Sequence, residues 1–236
     1  MRALVVAHDH VSPTGPVGDQ LTRRGYTLEH FLAIPREHYA APGIQVDFPD
    51  FTAYDAVVVL GAIWSVYDEA TIGSWIGDEI KQVQAADAAG VPVLGICFGG
   101  QVLAAAHGGA VERSARPEIG WTDVHSSDPD LVPEGPWFQW HFDRWRTPPE
   151  AEVLASNAAA TQAFALRRNL AVQFHPELTG ASLLGWLENG GYEGARAAGF
   201  DPGQMLEETE RLSAGAAVRA ARLVDAFVDR IAVRDI

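Results

Sequence analysis

The chain has 236 residues, 47% of them hydrophobic, which is enough to bury one sizeable core. Its 31 acidic and 17 basic residues give a net charge of −14, and the absence of a Lys/Arg-rich stripe argues against nucleic-acid binding. The longest apolar runs are too short to cross a membrane, the N-terminal run is too short for a signal peptide, and one cysteine excludes an intramolecular disulfide. We therefore expect a cytoplasmic protein.

In the first half of the chain, short apolar runs alternate with helical patterns, as in folds built from parallel strands. Strands are predicted at Arg2–Ala7, Leu28–Ala33, Ala56–Leu60 and Val91–Ile96. Helices are predicted at Pro16–Gly25, Ile72–Ala89 and Gly99–His107. The first two helices end at glycines, which commonly terminate helices.

From about Ala110 the pattern changes to shorter strands separated by turns, some of them expected to be antiparallel. These strands are predicted at Val111–Arg113, Gly120–His125, Trp137–Arg146, Val153–Asn157, Thr161–Arg167 and Leu170–Phe174. The whole pattern predicts an α/β fold with a mostly parallel central sheet flanked by helices and an antiparallel extension.

The segment from Gln204 to Ile236 is predicted to form one or two amphipathic helices. Its apolar positions are Val218, Leu223, Val224, Phe227, Val228 and Ile231. This face is expected to cover the core, and a homodimer contact is the alternative. No repeat or linker divides the chain, so we predict one domain over residues 1–236, with a core at 1–187 and a helical tail at 188–236.

Cys97 lies where the strand predicted at Val91–Ile96 enters a glycine-rich turn and a helix. A tight strand-to-helix turn lifts a side chain out of the sheet, as in the nucleophile elbow of hydrolases. The helix N-terminus favours a thiolate, and its free N–H groups can bind an oxyanion. Gly95 and Gly99 leave room in the turn. Cys97 is thus a candidate nucleophile, and an inert buried cysteine is the alternative.

His175 and Glu177 follow the last predicted strand and are candidates for the base and its partner. Residues two apart in an extended segment point to the same side, so Glu177 can fix the tautomer of His175. A solvated turn is the alternative. His8 and His10 could line a cleft, but we assign them to a loop. No His/Cys/Asp/Glu cluster has metal-binding spacing, so neither a metal nor a cofactor is predicted.

Together these motifs resemble the class I, triad-type glutamine amidotransferases, above all the stand-alone relatives of the GMP synthetase glutaminase domain. The matching segments are Gly95–Gln101, Phe174–Glu177 and Leu60–Glu69, the last resembling the family's Gly-Gly-Pro-x-Ser loop. They occur in the family's order, and the resemblance covers about residues 2–187. It implies a flavodoxin-like fold.

The resemblance implies a role for each residue of the site. Cys97 would be the nucleophile, His175 the acid–base and Glu177 its orienting carboxylate. The oxyanion hole would comprise backbone N–H groups of Gly61 or Ala62 and of Phe98. Substrate contacts are expected from Gln101, His141, Asp143 and Trp64. The implied reaction hydrolyses the γ-glutamyl amide of glutamine, or of a glutamine-like compound, through a glutamyl thioester.

The chain departs from the family pattern in its oxyanion loop and in what accompanies the domain. Ala62 and Ile63 replace a glycine and a proline, and alanine tolerates positive φ poorly. Because no synthetase domain follows the resemblance, a separate synthase or acceptor protein is one expected partner. A free-standing γ-glutamyl peptidase, its pocket shaped by Trp64, Trp137 and Trp140, is the alternative. A catalytically silent binding module is a third reading.

Overall fold

The computed structural model describes residues 1–232, and at its centre lies a nine-stranded sheet. The strands lie in the order β2-β1-β3-β4-β9-β8-β7-β5-β6. The first five of this order are parallel, and the remaining pairings are antiparallel. The strands are β1 Arg2–Ala7, β2 Thr27–Leu32, β3 Ala56–Val59, β4 Val93–Ile96, β5 Ala110–Ser126, β6 Gly135–Arg146, β7 Glu152–Ser156, β8 Thr161–Leu166 and β9 Asn169–Val172.

Helices flank the sheet, so the predicted α/β architecture with a parallel centre and an antiparallel extension is confirmed. The helices are α1 Gly15–Arg23, α2 Glu69–Ile72, α3 Ile76–Ala88, α4 Phe98–Ala106, α5 Gly180–Trp186, α6 Tyr192–Ala197 and α7 Pro202–Ala226. Short 3₁₀ turns lie at Arg36–His38 and Phe51–Ala53, and π-helical turns at Leu187–Gly191 and Phe227–Ile231. No helix within residues 1–232 is long and apolar enough to span a membrane.

The central strands are apolar on both faces because helices cover both sides of the sheet. All four residues of β3 are buried, and they alternate between two core clusters. Val58 packs with Val5 and Leu94 on one face, whereas Val57 and Val59 pack on the other. The uninterrupted apolar sequence of β3 is therefore explained by burial on both faces.

The tail forms a long helix, α7, that packs into the core. Leu223, Val224 and Phe227 are fully buried in the same cluster as Val5 and Val58. Val218, predicted on the same apolar face, is 64% exposed, so that prediction is wrong. Residue 218 falls between the buried positions of α7, on a side of the helix that faces away from the sheet. Residues 233–236 of the predicted tail lie outside the described part of the chain.

Two predicted elements have different limits in the structure. The helix predicted at Ile72–Ala89 is divided into α2 and α3, because Gly73 ends α2 and buried Trp75 precedes α3. The strands predicted at Val111–Arg113 and Gly120–His125 belong to the single strand β5. Its pairing with β6 shifts register between Arg113 and Glu118, and this polar, proline-containing stretch explains why the sequence pattern broke there.

Candidate active site

A cavity of about 330 Å³ opens at the carboxyl ends of the parallel strands. Ligands of open α/β sheets commonly bind at this edge. Every predicted site residue except Glu177 lines it, namely Gly61, Ala62, Trp64, Cys97, Phe98, Gln101, His141, Asp143 and His175. The turns after β1, β3, β4 and β9 bring these residues together from distant parts of the sequence.

Cys97 occupies the sharp turn between β4 and α4. Its φ is 52° and its ψ is −106°, a strained conformation for a residue with a side chain. The glycines around it allow close backbone packing. A Cβ on Gly99 would lie 2.1 Å from the Val59 carbonyl oxygen, and one on Gly95 would lie 2.5 Å from that of Gly99. The thiol is therefore fixed at the N-terminus of α4, where the helix dipole favours negative charge.

His175 lies at the same end of the sheet, and its ring is hydrogen-bonded to Glu177. His175 Nδ1 lies 2.7 Å from Glu177 Oε1, and both side chains are at least 94% buried. The backbone N–H of His175 donates to the Phe138 carbonyl at 2.9 Å, and the Trp186 ring contacts the imidazole edge-on. These contacts fix the orientation of the imidazole.

The electrostatics of His175 couple it to Cys97. Burial alone would lower the pKa of His175, but the Glu177 carboxylate and the Cys97 sulfur outweigh it and raise this pKa to about 10. The buried Nε2 has no conventional hydrogen-bond partner among residues 1–232. Since Nδ1 is occupied by Glu177, Nε2 is the nitrogen that can exchange a proton with the Cys97 sulfur or a bound substrate.

Gly61 passes directly beside this pair. A Cβ on Gly61 would lie 3.2 Å from His175 Cε1 and 3.7 Å from Cys97 Cβ. Ala62 does not adopt the positive φ that its sequence made a concern. Within residues 1–232, the side-chain-bearing residues with positive φ are Cys97 and Arg167. Alanine at position 62 therefore introduces no backbone strain.

The side chains predicted to contact substrate are partly occupied by protein groups. The Asp143 carboxylate accepts hydrogen bonds from the Ser65 hydroxyl and, at 2.9 Å, from the Tyr67 hydroxyl. It therefore ties β6 to the loop after β3. His141 Nδ1 donates to the Asp143 carbonyl at 2.8 Å, and its Nε2 lies 3.1 Å from a Glu118 carboxylate oxygen. These bonds fix the wall of the cavity before any ligand enters.

Gln101 and the tryptophans complete the wall. The Gln101 amide lies 3.4 Å from that of Gln173 and is 97% buried. Trp64 and Trp140 line the cavity, as expected. Trp137 does not, and the expectation that it shapes the pocket is wrong. It is fully buried and stacks on Phe174 with ring centroids 4.5 Å apart, because its β6 position points into the core.

His8 was assigned to a loop from the sequence, but in the structure it is fully buried next to the site. Its Nδ1 lies 3.2 Å from the Gly61 carbonyl oxygen and its Nε2 lies 2.9 Å from Glu79 Oε1. The available signal was its position directly after β1, at the edge of the sheet where the other site residues lie. Its partner on α3 was not predictable from local sequence.

Metal chemistry finds no donor set in the described part of the chain. No group of three or more His, Cys, Asp or Glu side chains is arranged there to bind a metal ion. The chemistry that this site can support is therefore built from the thiol, the imidazole, the carboxylate and backbone N–H groups.

Comparison of the sequence with known proteins gives one family and its relatives. The family model for glutamine amidotransferase class-I matches residues 17–189. A glutamine-hydrolyzing GMP synthase of two-chain type, from Sulfolobus acidocaldarius, is 34% identical over 134 residues in its matching chain, covering 53% of this chain and 68% of the relative. The glutamine-hydrolyzing GMP synthase of Methylobacillus flagellatus is also 34% identical, but the match spans only 25% of that relative's length.

Solved structures agree with the fold over nearly the whole chain. A glutamine amidotransferase from Thermotoga maritima matches with a TM-score of 0.82 and 25% identity, covering 97% of this chain and 98% of that one. A glutamine amidotransferase from Methylobacillus flagellatus has the same TM-score at 21% identity, covering 96% and 94%. The second likeness concerns the fold alone.

Proposed function

The chain belongs to the class I glutamine amidotransferase family, and from this premise we propose that it hydrolyses a γ-glutamyl amide through Cys97, His175 and Glu177. The observation that carries the proposal is the geometry of these side chains. A strained thiol at a helix N-terminus lies beside a buried imidazole whose other nitrogen is bound to a carboxylate. This is the arrangement of an activated nucleophile.

In the proposed reaction, the Cys97 thiolate attacks the carbon of the substrate's side-chain amide. The carbonyl oxygen becomes an oxyanion, and the His175 imidazolium donates its Nε2 proton to the leaving nitrogen. The C–N bond breaks, ammonia or an amine leaves, and a glutamyl thioester remains on Cys97. Water then gives a proton to His175 and its oxygen to the thioester carbon, releasing glutamate and the thiolate.

The oxyanion needs hydrogen-bond donors that are in place before the reaction. The Phe98 N–H lies in the first turn of α4, where helical N–H groups have no partner within the helix. The Gly61–Ala62 segment supplies N–H groups from the opposite side of Cys97. We propose these as the two halves of the oxyanion hole.

The substrate is glutamine or a compound that carries its γ-glutamyl amide. The similarity to the Sulfolobus acidocaldarius GMP synthase chain favours glutamine, and with it a separate synthase protein that would receive the ammonia. A γ-glutamyl peptidase is favoured by a different observation. Five aromatic side chains line the cavity and could hold a bulky leaving amine, namely Tyr39, Trp64, Trp140, Phe142 and Trp186.

Release of glutamate from glutamine and from a series of γ-glutamyl amides tests the proposal. Glu177→Gln removes the charge that orients and stabilises the imidazolium, so we expect kcat to fall by about 10²-fold or more. Cys97→Ala should abolish turnover. Glu207→Gln, the same substitution at an exposed position of α7, is the matched control and should retain full activity.

The outcomes distinguish the candidate functions. Cys97-dependent turnover of glutamine supports a glutaminase or the glutaminase component of an amidotransferase, whereas turnover of γ-glutamyl peptides with little from glutamine supports the peptidase. If no substrate turns over but a glutamine-like diazoketone labels Cys97, a missing synthase partner is indicated. Absence of both turnover and labelling would leave the binding-module reading and contradict the catalytic proposal.

A further inference from the structure

A fully buried ion pair, which the proposed reaction does not use, lies behind the Gly61–Ala62 peptide. It joins His8, just after β1, to Glu79, in the first turn of α3, and both side chains are 0% exposed. His8 Nε2 lies 2.9 Å from Glu79 Oε1 and 3.2 Å from Oε2. A buried ion pair adds little stability over apolar side chains of the same volume. Its contacts with the site therefore suggest another role.

The other ring nitrogen of His8 connects the pair to the active site. Nδ1 lies 3.2 Å from the Gly61 carbonyl oxygen, and a carbonyl only accepts, so Nδ1 must carry a hydrogen. The ring cannot turn freely, because it packs edge-on to Phe98 with centroids 4.8 Å apart and stacks on Trp75 at 5.9 Å. Glu79 and the two aromatic rings thus fix the direction of the Nδ1–H donor.

Fixing the Gly61 carbonyl also fixes the N–H group at the other end of the same peptide bond. No cis peptide occurs within residues 1–232, so the Ala62 N–H points opposite to the Gly61 carbonyl. The carbonyl points inward to buried His8, and Ala62 lines the cavity on the other side. The Ala62 N–H is therefore directed into the cavity, beside Cys97 and His175.

We propose that His8, held by Glu79, is a positioning residue that keeps the Gly61–Ala62 peptide oriented with the Ala62 N–H toward the substrate oxyanion. Glycine at position 61 leaves the backbone free to rotate, so this peptide needs an external constraint. The proposal rests on the proposed function for its catalytic consequence. Its structural part, the orientation of one peptide, can be examined separately.

The experiment compares two variants of the same shape on one background. Glu79→Gln is introduced first, so that no unpaired carboxylate stays buried. His8→Asn is then compared with His8→Leu, since the two side chains are nearly isosteric but only asparagine can donate a hydrogen bond to the Gly61 carbonyl. Each variant is checked for folding by thermal denaturation, assayed with the best γ-glutamyl amide, and alkylated with iodoacetamide.

The leucine variant is expected to lose about 10²-fold in both kcat and kcat/KM relative to the asparagine variant, the effect of losing one oxyanion donor. Its rate of alkylation should match that of the asparagine variant, because iodoacetamide forms no oxyanion. A crystal structure of the leucine variant should show the Gly61–Ala62 peptide rotated, and one of the asparagine variant should show it in place.

Equal kcat values for the two folded variants would overturn the proposal, as would alkylation that falls in parallel with kcat. If the parent enzyme turns over no γ-glutamyl amide, the proposed function fails. The crystal structures then decide the positioning claim: an unchanged Gly61–Ala62 peptide in the leucine variant would refute it, and a rotated peptide would support it.

Discussion

At the scale of single residues, the site depends on a charge balance that burial makes sensitive to pH. His175 is buried between two negatively charged groups, Glu177 and the Cys97 thiolate, and their attraction for its proton exceeds the penalty of burial. The proton that the mechanism must deliver to the leaving group is therefore held on the imidazole in the resting state. The same coupling stabilises the thiolate.

This coupling predicts how stability depends on pH. The folded state holds the His175 proton up to a pKa of about 10, whereas the unfolded state releases it near the ordinary value of about 6.5. Between these values the folded state binds more protons, so the free energy of unfolding contributed by His175 is complete below about pH 6.5 and is lost as pH rises toward 10.

Urea denaturation of the wild type and of Cys97→Ala across this pH range tests the prediction. Without the sulfur, one of the interactions that raise the His175 pKa is gone, so the alanine variant should lose less stability between about pH 7 and 10. The other titratable groups are common to both proteins and cancel in the comparison. Identical pH profiles would show that Cys97 and His175 are not coupled.

At the scale of elements, the site depends on how closely α4 approaches β3 and β4. The first turn of α4 packs its backbone against the Val59 carbonyl, and only glycine at position 99 permits that contact. The strained turn at Cys97 is the local consequence, because the strand and the helix leave one residue to reverse the chain direction. The element packing therefore places the nucleophile.

Gly99→Ala and Gly77→Ala form a matched pair, since each glycine is the second residue of its helix. A Cβ on Gly99 would lie 2.1 Å from backbone, whereas one on Gly77 would meet nothing within 4 Å. We expect Gly99→Ala to lower the free energy of unfolding by about 2–3 kcal/mol and to reduce activity. Gly77→Ala should raise it by up to about 1 kcal/mol with activity unchanged.

Thermal and urea denaturation measure both effects, and turnover is measured on the same preparations. The opposite signs separate the close packing of α4 from the general effect of alanine in a helix. A Gly99→Ala variant as stable and active as Gly77→Ala would contradict the packing argument.

At the scale of the whole molecule, the tail belongs to the same structure as the parallel sheet. α7 buries Leu223 in the cluster that contains Val5 and Val58, although these residues are far apart in the sequence. Arg24, at the end of α1, is paired with Asp225 and Asp229 of the tail. We propose that residues 188–232 are part of one domain with the core rather than a separable extension.

Leu223→Ala tests this proposal, with Val218→Ala on the same helix as its control. Leu223 is fully buried, so its truncation should cost about 2–5 kcal/mol of unfolding free energy through lost packing and a cavity. Val218 is 64% exposed, and its substitution should change stability by less than about 0.5 kcal/mol. Urea denaturation should show one transition for each variant, and two separated transitions would indicate an independent tail.

The sequence alone determined the features that are encoded locally. The apolar runs of β1, β3 and β4 indicated buried parallel strands, since a strand covered on both faces must be apolar throughout. The spacing of Cys97 after a strand, with glycines around it, indicated a nucleophile turn. The two-residue spacing of His175 and Glu177 predicted the hydrogen bond between them.

Only the tertiary structure decided which distant residues meet. Local sequence could not show that His8 and Glu79 form a buried pair behind the Gly61 carbonyl, that Asp143 is bound by Ser65 and Tyr67, or that Trp137 lies in the core. Each of these contacts joins elements whose relative position is set by the order of strands in the sheet. Sequence patterns report which face of an element is buried, but the partner on that face is chosen when the whole core packs.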